Sequence, residues 1–307
     1  MTKPDLSIDH ELRMGARYMA QRLMPAPGAI PRIPGTDIYG VSIPFNGIAG
    51  GDLITYVNFQ DRFDLDARIR AAASSQGQES VAKALQRLKR CGGILIADVA
   101  GHDFTDAMRA LMLHQVFHTA ALYEMDLNGE ITARLFEQVN TRFLKSTTLR
   151  NLAADRDRAS FITLIYGEIS HTGRFRFVNA GHPMPLVFSR EYDCFVDISP
   201  NRLVSYPPIG LQPTEDHADA GHYERALGYK KRYKVNELNL MGRGDVLLLY
   251  TDGLFDSFSP FRRGKLERAV SRAKEGSAKE ICEAILQERR AVAQPTDDLS
   301  LVVIKHI

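Results

Sequence analysis

The sequence predicts an α+β domain in which layers of helices pack on β-sheets. Its strand-like runs come in groups, without the strict β-α alternation of a doubly wound parallel sheet. Two of them, Gly93–Val99 and Asp245–Tyr250, are almost continuously apolar, as strands buried on both faces are. Two others, Phe161–Ile169 and Arg174–Asn179, flank the turn residues His171-Thr172-Gly173 and therefore predict a hairpin.

The remaining elements follow from periodicity and from helix-ending residues. An amphipathic helix is predicted over Asp9–Met24 and stops at Pro25, so residues 1–35 are interpreted as a helix with a Pro-rich linker and 36–307 as one domain. An exposed apolar side of that helix would pair with a second copy in a homodimer or pack on its own domain, and the sequence favours neither. The further predicted helices lie near Glu79–Lys89, Thr105–Glu124 and Ile131–Lys145, and the further strands are Ile38–Phe45, Leu53–Phe59, Leu186–Phe188 and Leu299–Ile307.

Composition disfavours several classes of protein. Lys and Arg total 39 against 37 Asp and Glu, a formal charge of +2, which is unlike proteins that bind nucleic acid mainly through its phosphates. No apolar run approaches the ~20 residues of a membrane span, and the N-terminus shows no apolar signal segment. Cys91, Cys194 and Cys282 are far apart and odd in number, so we expect reduced thiols in a cytoplasmic protein.

Four acidic positions share one local pattern, an Asp at the end of a predicted strand beside glycine or a sharp change of polarity. They are Asp52, Asp98, Asp252 and the pair Asp297-Asp298. Strand ends of one sheet can lie close in space, and crowded carboxylates repel each other unless a cation joins them. Oxygen ligands of this kind suit Mg²⁺ or Mn²⁺, and two such ions can clamp a phosphoryl group and activate water. A single Asp beside glycine is usually a turn former, but four such positions together favour a metal site.

Six short segments occur in an order that is typical of one enzyme family. They are Gly50-Gly51-Asp52, Asp98-Val99-Ala100-Gly101-His102, Asn179-Ala180-Gly181-His182-Pro183, Pro208-Ile209-Gly210, Thr251-Asp252-Gly253-Leu254 and Asp297-Asp298-Leu299-Ser300. Through these motifs, about residues 10–307 resemble the SpoIIE-like (RsbU-like) branch of the PPM-type metal-dependent serine/threonine protein phosphatases. Each motif alone is weakly specific, but six in the right order are a strong signal.

The resemblance implies a four-layer α-β-β-α sandwich of two antiparallel sheets, with two Mn²⁺ or Mg²⁺ ions at one end. The implied ligands are Asp52, Asp98, the backbone carbonyl of Val99, Asp252 and one residue of the final acidic pair. Of that pair, Asp297 is preferred because it holds the first position of the family's Asp-Asp/Asn motif, and Asp298 is the second choice.

The implied reaction is hydrolysis of phosphoserine or phosphothreonine by a water that bridges the two metals, without a phosphoenzyme. The usual substrate in this branch is a small anti-sigma-factor antagonist of the STAS type, which implies a role in bacterial partner-switching or stress signalling. The alternative is a catalytically silent phosphatase fold that binds partners in such a pathway, motivated by Asp103 and by two apparent insertions, near residues 61–92 and 212–235. A two-metal phosphodiesterase or nuclease is a third hypothesis, which the near-neutral charge disfavours.

The chain departs from the family at Gly101-His102-Asp103, where the family usually has Gly-His-Gly. Asp103 and Asp106 could lend carboxylates to a further metal, although capping of the following helix is the expected role. His102 is expected to stabilise its loop, because the general acid of eukaryotic relatives stands at the position that Ala100 holds here.

Other polar residues carry weaker signals. His182 lies in a turn, which it is expected to stabilise, and contact with phosphate or proton transfer is the alternative. His114 and His118 stand one helical turn apart, but no third metal ligand is evident, so packing is expected. The basic run Lys230–Lys234 is expected to be a solvated loop, with docking of an acidic protein partner as the alternative.

Overall fold

The computed structural model describes residues 11, 14–15, 18, 30–45, 50–101, 104–145, 161–222, 227–239, 242–255, 261–292 and 296–307. Most of the predicted N-terminal helix therefore lies outside the described residues, as do His102 and Asp103. Met14 and Tyr18 are helical and expose 52% and 59% of their surfaces. The proposed homodimer through this helix stays a prediction.

In the described part of the chain, the strands form two antiparallel five-stranded sheets. The first sheet has the order β1-β10-β9-β6-β7, and the second has the order β2-β3-β4-β5-β8. The strands are β1 (Thr36–Ile43), β2 (Leu53–Asn58), β3 (Cys91–Val99), β4 (Ile162–Ser170), β5 (Phe175–Ala180), β6 (Leu186–Ser189), β7 (Cys194–Phe195), β8 (Asn236–Leu238), β9 (Val246–Tyr250) and β10 (Leu299–His306).

Helices cover the outer face of each sheet. Helices α1 to α5 lie on the second sheet, and α6 and α7 lie on the first. Their bounds are α1 (Phe59–Arg62), α2 (Leu65–Ala73), α3 (Glu79–Leu88), α4 (Phe104–Asn128), α5 (Ala133–Lys145), α6 (Arg263–Ala273) and α7 (Ala278–Val292).

Strand β3 shows why the sheets stack as they do. Ile94 and Ile96 join the core between the two sheets, whereas Leu95 and Ala97 join the core beneath the helices. Because successive side chains of a strand point to opposite faces, a strand buried on both faces is apolar throughout. This alternation confirms the α+β class and the four-layer α-β-β-α sandwich.

The segment 61–92 is mostly helical and is packed into the domain. Leu85 and Leu88 of α3 are almost fully buried, and Arg87 forms ion pairs with Glu130 and Glu168. Its status as an insertion, like the boundary between residues 1–35 and 36–307, stays a prediction. No helix among the described residues is long and apolar enough to cross a membrane, and the three cysteines are free thiols.

The expectation of a solvated loop at Lys230–Lys234 is wrong for two of its residues. Lys230 and Tyr233 expose only 2% and 5% of their surfaces. The Lys230 ammonium donates to the carbonyls of Pro207 and Pro208 at 3.2 and 3.1 Å and to the Tyr233 hydroxyl at 2.6 Å. A buried ammonium loses its hydrogen bonds to water, and these three acceptors take their place.

Candidate metal centre

The four acidic segments meet at one end of the two sheets, with their backbones in close contact. The Val99 amide donates to the Gly51 carbonyl at 3.3 Å, and a β-carbon on Gly51 would lie only 2.7 Å from the Val99 oxygen. A β-carbon on Gly253 would lie 1.9 Å from the carbonyl oxygen of Asp298. Glycine is therefore required where these segments approach each other, and the approach brings acids from remote parts of the chain together.

Asp52 directly precedes strand β2 of the second sheet but is held by residues of the first. The Thr251 hydroxyl donates to Asp52 Oδ2 at 2.8 Å and accepts from the Ser300 amide at 2.8 Å. Asp52 is 6% exposed, and burial first and then the Asp98 carboxylate raise its pKa well above the ordinary value. The polar contacts orient this carboxylate without neutralising its charge.

Asp98 stands near the end of β3, opposite Thr163 of β4, and is half-buried. Burial raises its pKa to about 7, and the next largest causes are all carboxylates, namely Asp252, Asp297, Asp298 and Asp106. Like charges favour the protonated form of a carboxylate. Among the described residues, no cationic side chain pairs with Asp98, whereas a buried structural carboxylate usually has such a partner.

The final acidic pair divides into two environments. Asp298 is 3% exposed, and its two oxygens accept from the backbone amides of Phe45 and Gly51, each at 2.7 Å. Asp297 is only partly buried, and its Oδ1 accepts from the Asp298 amide at 2.8 Å. Asp298 therefore fastens the glycine turn before Asp52, while Asp297 keeps more of its carboxylate accessible.

The donor set fits hard divalent cations. It consists of carboxylates and a strand-end carbonyl, and Asp252 is exposed at the mouth of the cluster. Within the described residues, no three acidic side chains converge tightly enough to make a ready-made cation cage.

The charge of Asp106 is already neutralised by an ion pair. It is 4% exposed and forms a buried ion pair with Arg109, three residues later on α4. A β-carbon on Gly101, whose φ is +116°, would lie 2.3 Å from Asp106 Oδ2, so glycine is required where the loop after Asp98 approaches this pair. The ion pair argues against Asp106 as a ligand for a further metal; Asp103, its proposed companion, lies outside the described residues.

His182 lies beside Thr163, the β4 residue that is paired with Asp98. It is 3% exposed, its Nδ1 lies 2.8 Å from Thr163 Oγ1, and its amide and carbonyl bond the Asn179 side chain at 3.0 and 2.8 Å. Burial lowers its pKa to about 3, and the nearby Tyr250 backbone offsets only part of this effect. A neutral, enclosed ring agrees with the turn-stabilising role and argues against proton transfer to a substrate.

His114 and His118 lie outside the centre. Their Nε2 atoms are 3.2 Å apart, and the Arg62 guanidinium is 3.3 Å from His118 Nε2. Burial, followed by Arg62, lowers the pKa of both rings, that of His118 to about 3. The adjacent guanidinium disfavours a bound cation, so packing remains the better interpretation.

Three supporting residues were missed by the sequence analysis. Thr251 and Ser300 orient Asp52, and each stood inside a quoted motif where a hydroxyl beside an acid was the available signal. Arg289 of α7 is 4% exposed and donates to the Gly253 carbonyl at 2.8 Å. No sequence signal separates Arg289 from the other arginines of an amphipathic helix.

A family model described as Stage II sporulation protein E (SpoIIE) matches residues 89–307. Among curated protein sequences, none matches this chain.

Solved structures share the fold at low sequence identity. The RsbU and RsbW domains of Rv1364c from Mycobacterium tuberculosis are 19% identical with a TM-score of 0.58, over 90% of this chain and 63% of that one. The SiaA-PP2C domain of Pseudomonas aeruginosa is 12% identical with a TM-score of 0.58, over 97% and 96%. RsbX in complex with magnesium is 12% identical with a TM-score of 0.51, over 88% and 94%. The chain thus spans less than two thirds of the Mycobacterium protein and nearly the whole of the other two.

Proposed function

Because the chain belongs to the SpoIIE family, as its motifs predicted, we propose that it is a divalent-metal-dependent serine/threonine protein phosphatase. The observation that carries the proposal is the crowding of carboxylates around Asp98, which adds to burial in raising the pKa of that acid to about 7. RsbX, which shares the fold, was solved in complex with magnesium, and this supports a divalent cation here as well.

The residues proposed to hold two Mn²⁺ or Mg²⁺ ions are Asp52, Asp98, the Val99 carbonyl, Asp252 and Asp297. When bound, these ions would supply neutralisation of phosphoryl charge and activation of water. The chain itself supplies the geometry: Thr251 and Ser300 orient Asp52, and Asp298 holds the Gly51 turn through two backbone amides. Such outer contacts commonly change metal affinity or activity by about 10–100-fold.

We also propose a phosphorylated protein as the substrate, in particular an anti-sigma-factor antagonist of the STAS type. Family membership and the likeness to an RsbU domain support this class of partner. The open mouth at Asp252, which is exposed, suits a phosphoserine presented by a protein surface.

The test is release of phosphate from a phosphoserine peptide, with added Mn²⁺ and after exhaustive chelation. We expect Mn²⁺-dependent turnover that falls at least about a hundredfold in Asp98→Asn and Asp252→Asn, because each loses a charged ligand. Asp197→Asn, whose side chain is 91% exposed, is the matched control and keeps wild-type activity.

Two outcomes would change the assignment. Wild-type turnover that survives chelation contradicts the proposal. Calorimetric binding of Mn²⁺ without turnover of any phosphopeptide favours the catalytically silent binding module.

A further inference from the structure

Lys230 is a buried cation that the proposed phosphatase mechanism does not use. It exposes 2% of its surface, and among the described residues no carboxylate lies within ion-pair distance of its ammonium. Burial lowers its pKa to about 7, so the side chain carries its charge at a cost near neutral pH. An apolar side chain of similar length would fill the same space without that cost. The reason for a lysine at this position must therefore lie in the hydrogen bonds of its ammonium.

The ammonium supplies donors to two residues that have no amide hydrogen of their own. Pro207 and Pro208 are consecutive prolines, so neither can donate from its backbone. Their carbonyls accept from Lys230 Nζ at 3.2 and 3.1 Å, and the Tyr233 hydroxyl accepts from it at 2.6 Å. A lysine ammonium has three donors, and these three contacts use all of them. Lys230 thus holds both proline carbonyls in one direction.

A second buried side chain holds the other flank of the same loop. Asn140 of α5 is fully buried, and its Oδ1 accepts from the Gly210 amide at 3.0 Å. Its Nδ2 donates to the Gln212 carbonyl, also at 3.0 Å. Ile209 lies between the two attachments, directly after Pro208 and directly before Gly210. The position of Ile209 is therefore set from both sides by side chains that lie elsewhere in the sequence.

Ile209 extends the second sheet at the end where the acids gather. Its amide donates to the Ile162 carbonyl at 2.8 Å, and its carbonyl accepts from the Ile162 amide at 3.0 Å. Ile162 is paired in turn with Val99, which directly follows Asp98 and whose carbonyl is a proposed metal ligand. The side chains of Ile209, Ile162 and Val99 are at most 1% exposed and belong to one core. Because such cores are close-packed, a shift of Ile209 would displace the strand end that bears these two ligands.

We propose that Lys230 is a positioning residue for the metal centre. It holds the proline turn that carries Ile209, and Ile209 supports the strand end at Val99. The inference rests on the proposed phosphatase function and adds to it a residue that lies outside the acidic cluster. Residues that orient metal ligands without touching the metal commonly change metal affinity by about 10–100-fold.

The test compares Lys230→Met with Arg87→Met by titration calorimetry with Mn²⁺, at a temperature where both variants are folded. Lys230→Met removes all three donors but keeps the length of the side chain, and we expect the Kd for Mn²⁺ to rise about tenfold. Arg87→Met is the matched control, because it removes an ion pair with Glu168 at the other end of the sheet. The control destabilises the fold without touching the loop and should keep the wild-type Kd. Wild-type affinity in folded Lys230→Met, or an equal loss of affinity in Arg87→Met, overturns the proposal.

A milder variant, Lys230→Gln, sharpens the test. Glutamine has two N–H donors for the three acceptors and carries no charge. Its Kd for Mn²⁺ should lie between those of the wild type and Lys230→Met, about threefold above the wild type. If Lys230→Met does not fold, this variant decides the question, and wild-type affinity in Lys230→Gln then contradicts the proposal.

Hydrogen exchange separates failure of this inference from failure of the phosphatase proposal, because it needs neither metal nor turnover. In chelator, Lys230→Met should accelerate exchange of the Ile162 and Ile209 amides about tenfold more than that of the Ile169 amide, at the far end of β4. Arg87→Met should show the opposite order. This pattern in a protein that binds no Mn²⁺ would contradict the phosphatase proposal alone. Equal acceleration along the whole of β4 in Lys230→Met would overturn the positioning role.

Discussion

Two acidic side chains at opposite ends of the second sheet are surrounded by different charges. Asp98 stands opposite Thr163, and Glu168 lies on the same strand as Thr163, about 17 Å further along. Glu168 is 6% exposed, and burial raises its pKa, but Arg87 counteracts this effect from 2.8 Å. Around Asp98, the neighbouring groups add to the effect of burial.

The comparison shows that burial of a carboxylate does not by itself mark a functional site. Glu168 belongs to a network of ion pairs, in which Arg87 also contacts Glu130 at 2.7 Å and Arg176 stands opposite both Glu168 and Glu237. Such a network neutralises charge within the protein. Around Asp98 the main electrostatic neighbours are further carboxylates, and this difference supports the proposed metal site.

The largest expected effect comes from removing the ion pair between Arg87 and Glu168. Arg87→Met should lower the free energy of unfolding by about 3 kcal/mol at neutral pH, because it removes the guanidinium that is hydrogen-bonded to the buried Glu168. The loss should shrink at acidic pH, where a protonated Glu168 needs no partner. Urea unfolding at several pH values measures both effects.

Two variants sharpen that result. Lys83→Met, on an exposed position of the same helix, should cost less than about 0.5 kcal/mol. Adding Glu168→Gln to Arg87→Met should restore part of the lost stability. Equal losses in the Lys83 and Arg87 variants would mean that the ion pair has no special role.

A smaller effect on stability, of opposite sign, is expected when Asp98 is changed at the other end of the sheet. The pKa of Asp98 is raised from 3.8 to about 7, so the stability that its protonated form contributes is complete below pH 3.8 and lost as the pH rises through about 7. The full shift would correspond to about 4 kcal/mol, and solvent screening of the half-buried carboxylate reduces it by roughly half. Without metal, Asp98→Asn should therefore be more stable than the wild type by about 2 kcal/mol at pH 8, and this gain should fade toward pH 4. Thermal unfolding in chelator at several pH values measures it.

Mn²⁺ should reverse the order of stability. A ligand at a hundred times its Kd stabilises a protein by about 2.7 kcal/mol, and only the wild type keeps the full set of acids. Glu168→Gln is the control, since it should gain as much from Mn²⁺ as the wild type does. An Asp98→Asn variant that is less stable without metal, or equally stabilised by Mn²⁺, would contradict this account.

Most elements were predictable from the sequence because strands that are buried on both faces consist almost entirely of apolar residues. The run Gly93–Val99 was found because both faces of β3 are buried, and the strand begins only two residues earlier, at Cys91. The short strands β7 and β8 have two and three residues, too few for a periodic signal, and their pairing depends on longer neighbours. The position of a strand was thus predictable where its own residues carry a hydrophobic pattern.

Individual side chains were predictable only where local sequence decides their surroundings. The acids of the cluster were identified because each stands at a strand end beside glycine or a sharp change of polarity. Burial of Lys230 was not, because it depends on the carbonyls of Pro207 and Pro208, which lie more than twenty residues earlier in the chain. The different environments of Asp297 and Asp298 likewise depend on Phe45 and Gly51 at the other end of the chain.

Anomalous diffraction from crystals grown with Mn²⁺ tests the central claim most directly. We predict two manganese peaks in contact with Asp52, Asp98 and Asp252, with Asp297 as a ligand and Asp298 still bound to its two backbone amides. Data without a peak at Asp98, or with manganese only at the Glu168 end of the sheet, would contradict the claim that the crowded acids form a metal centre.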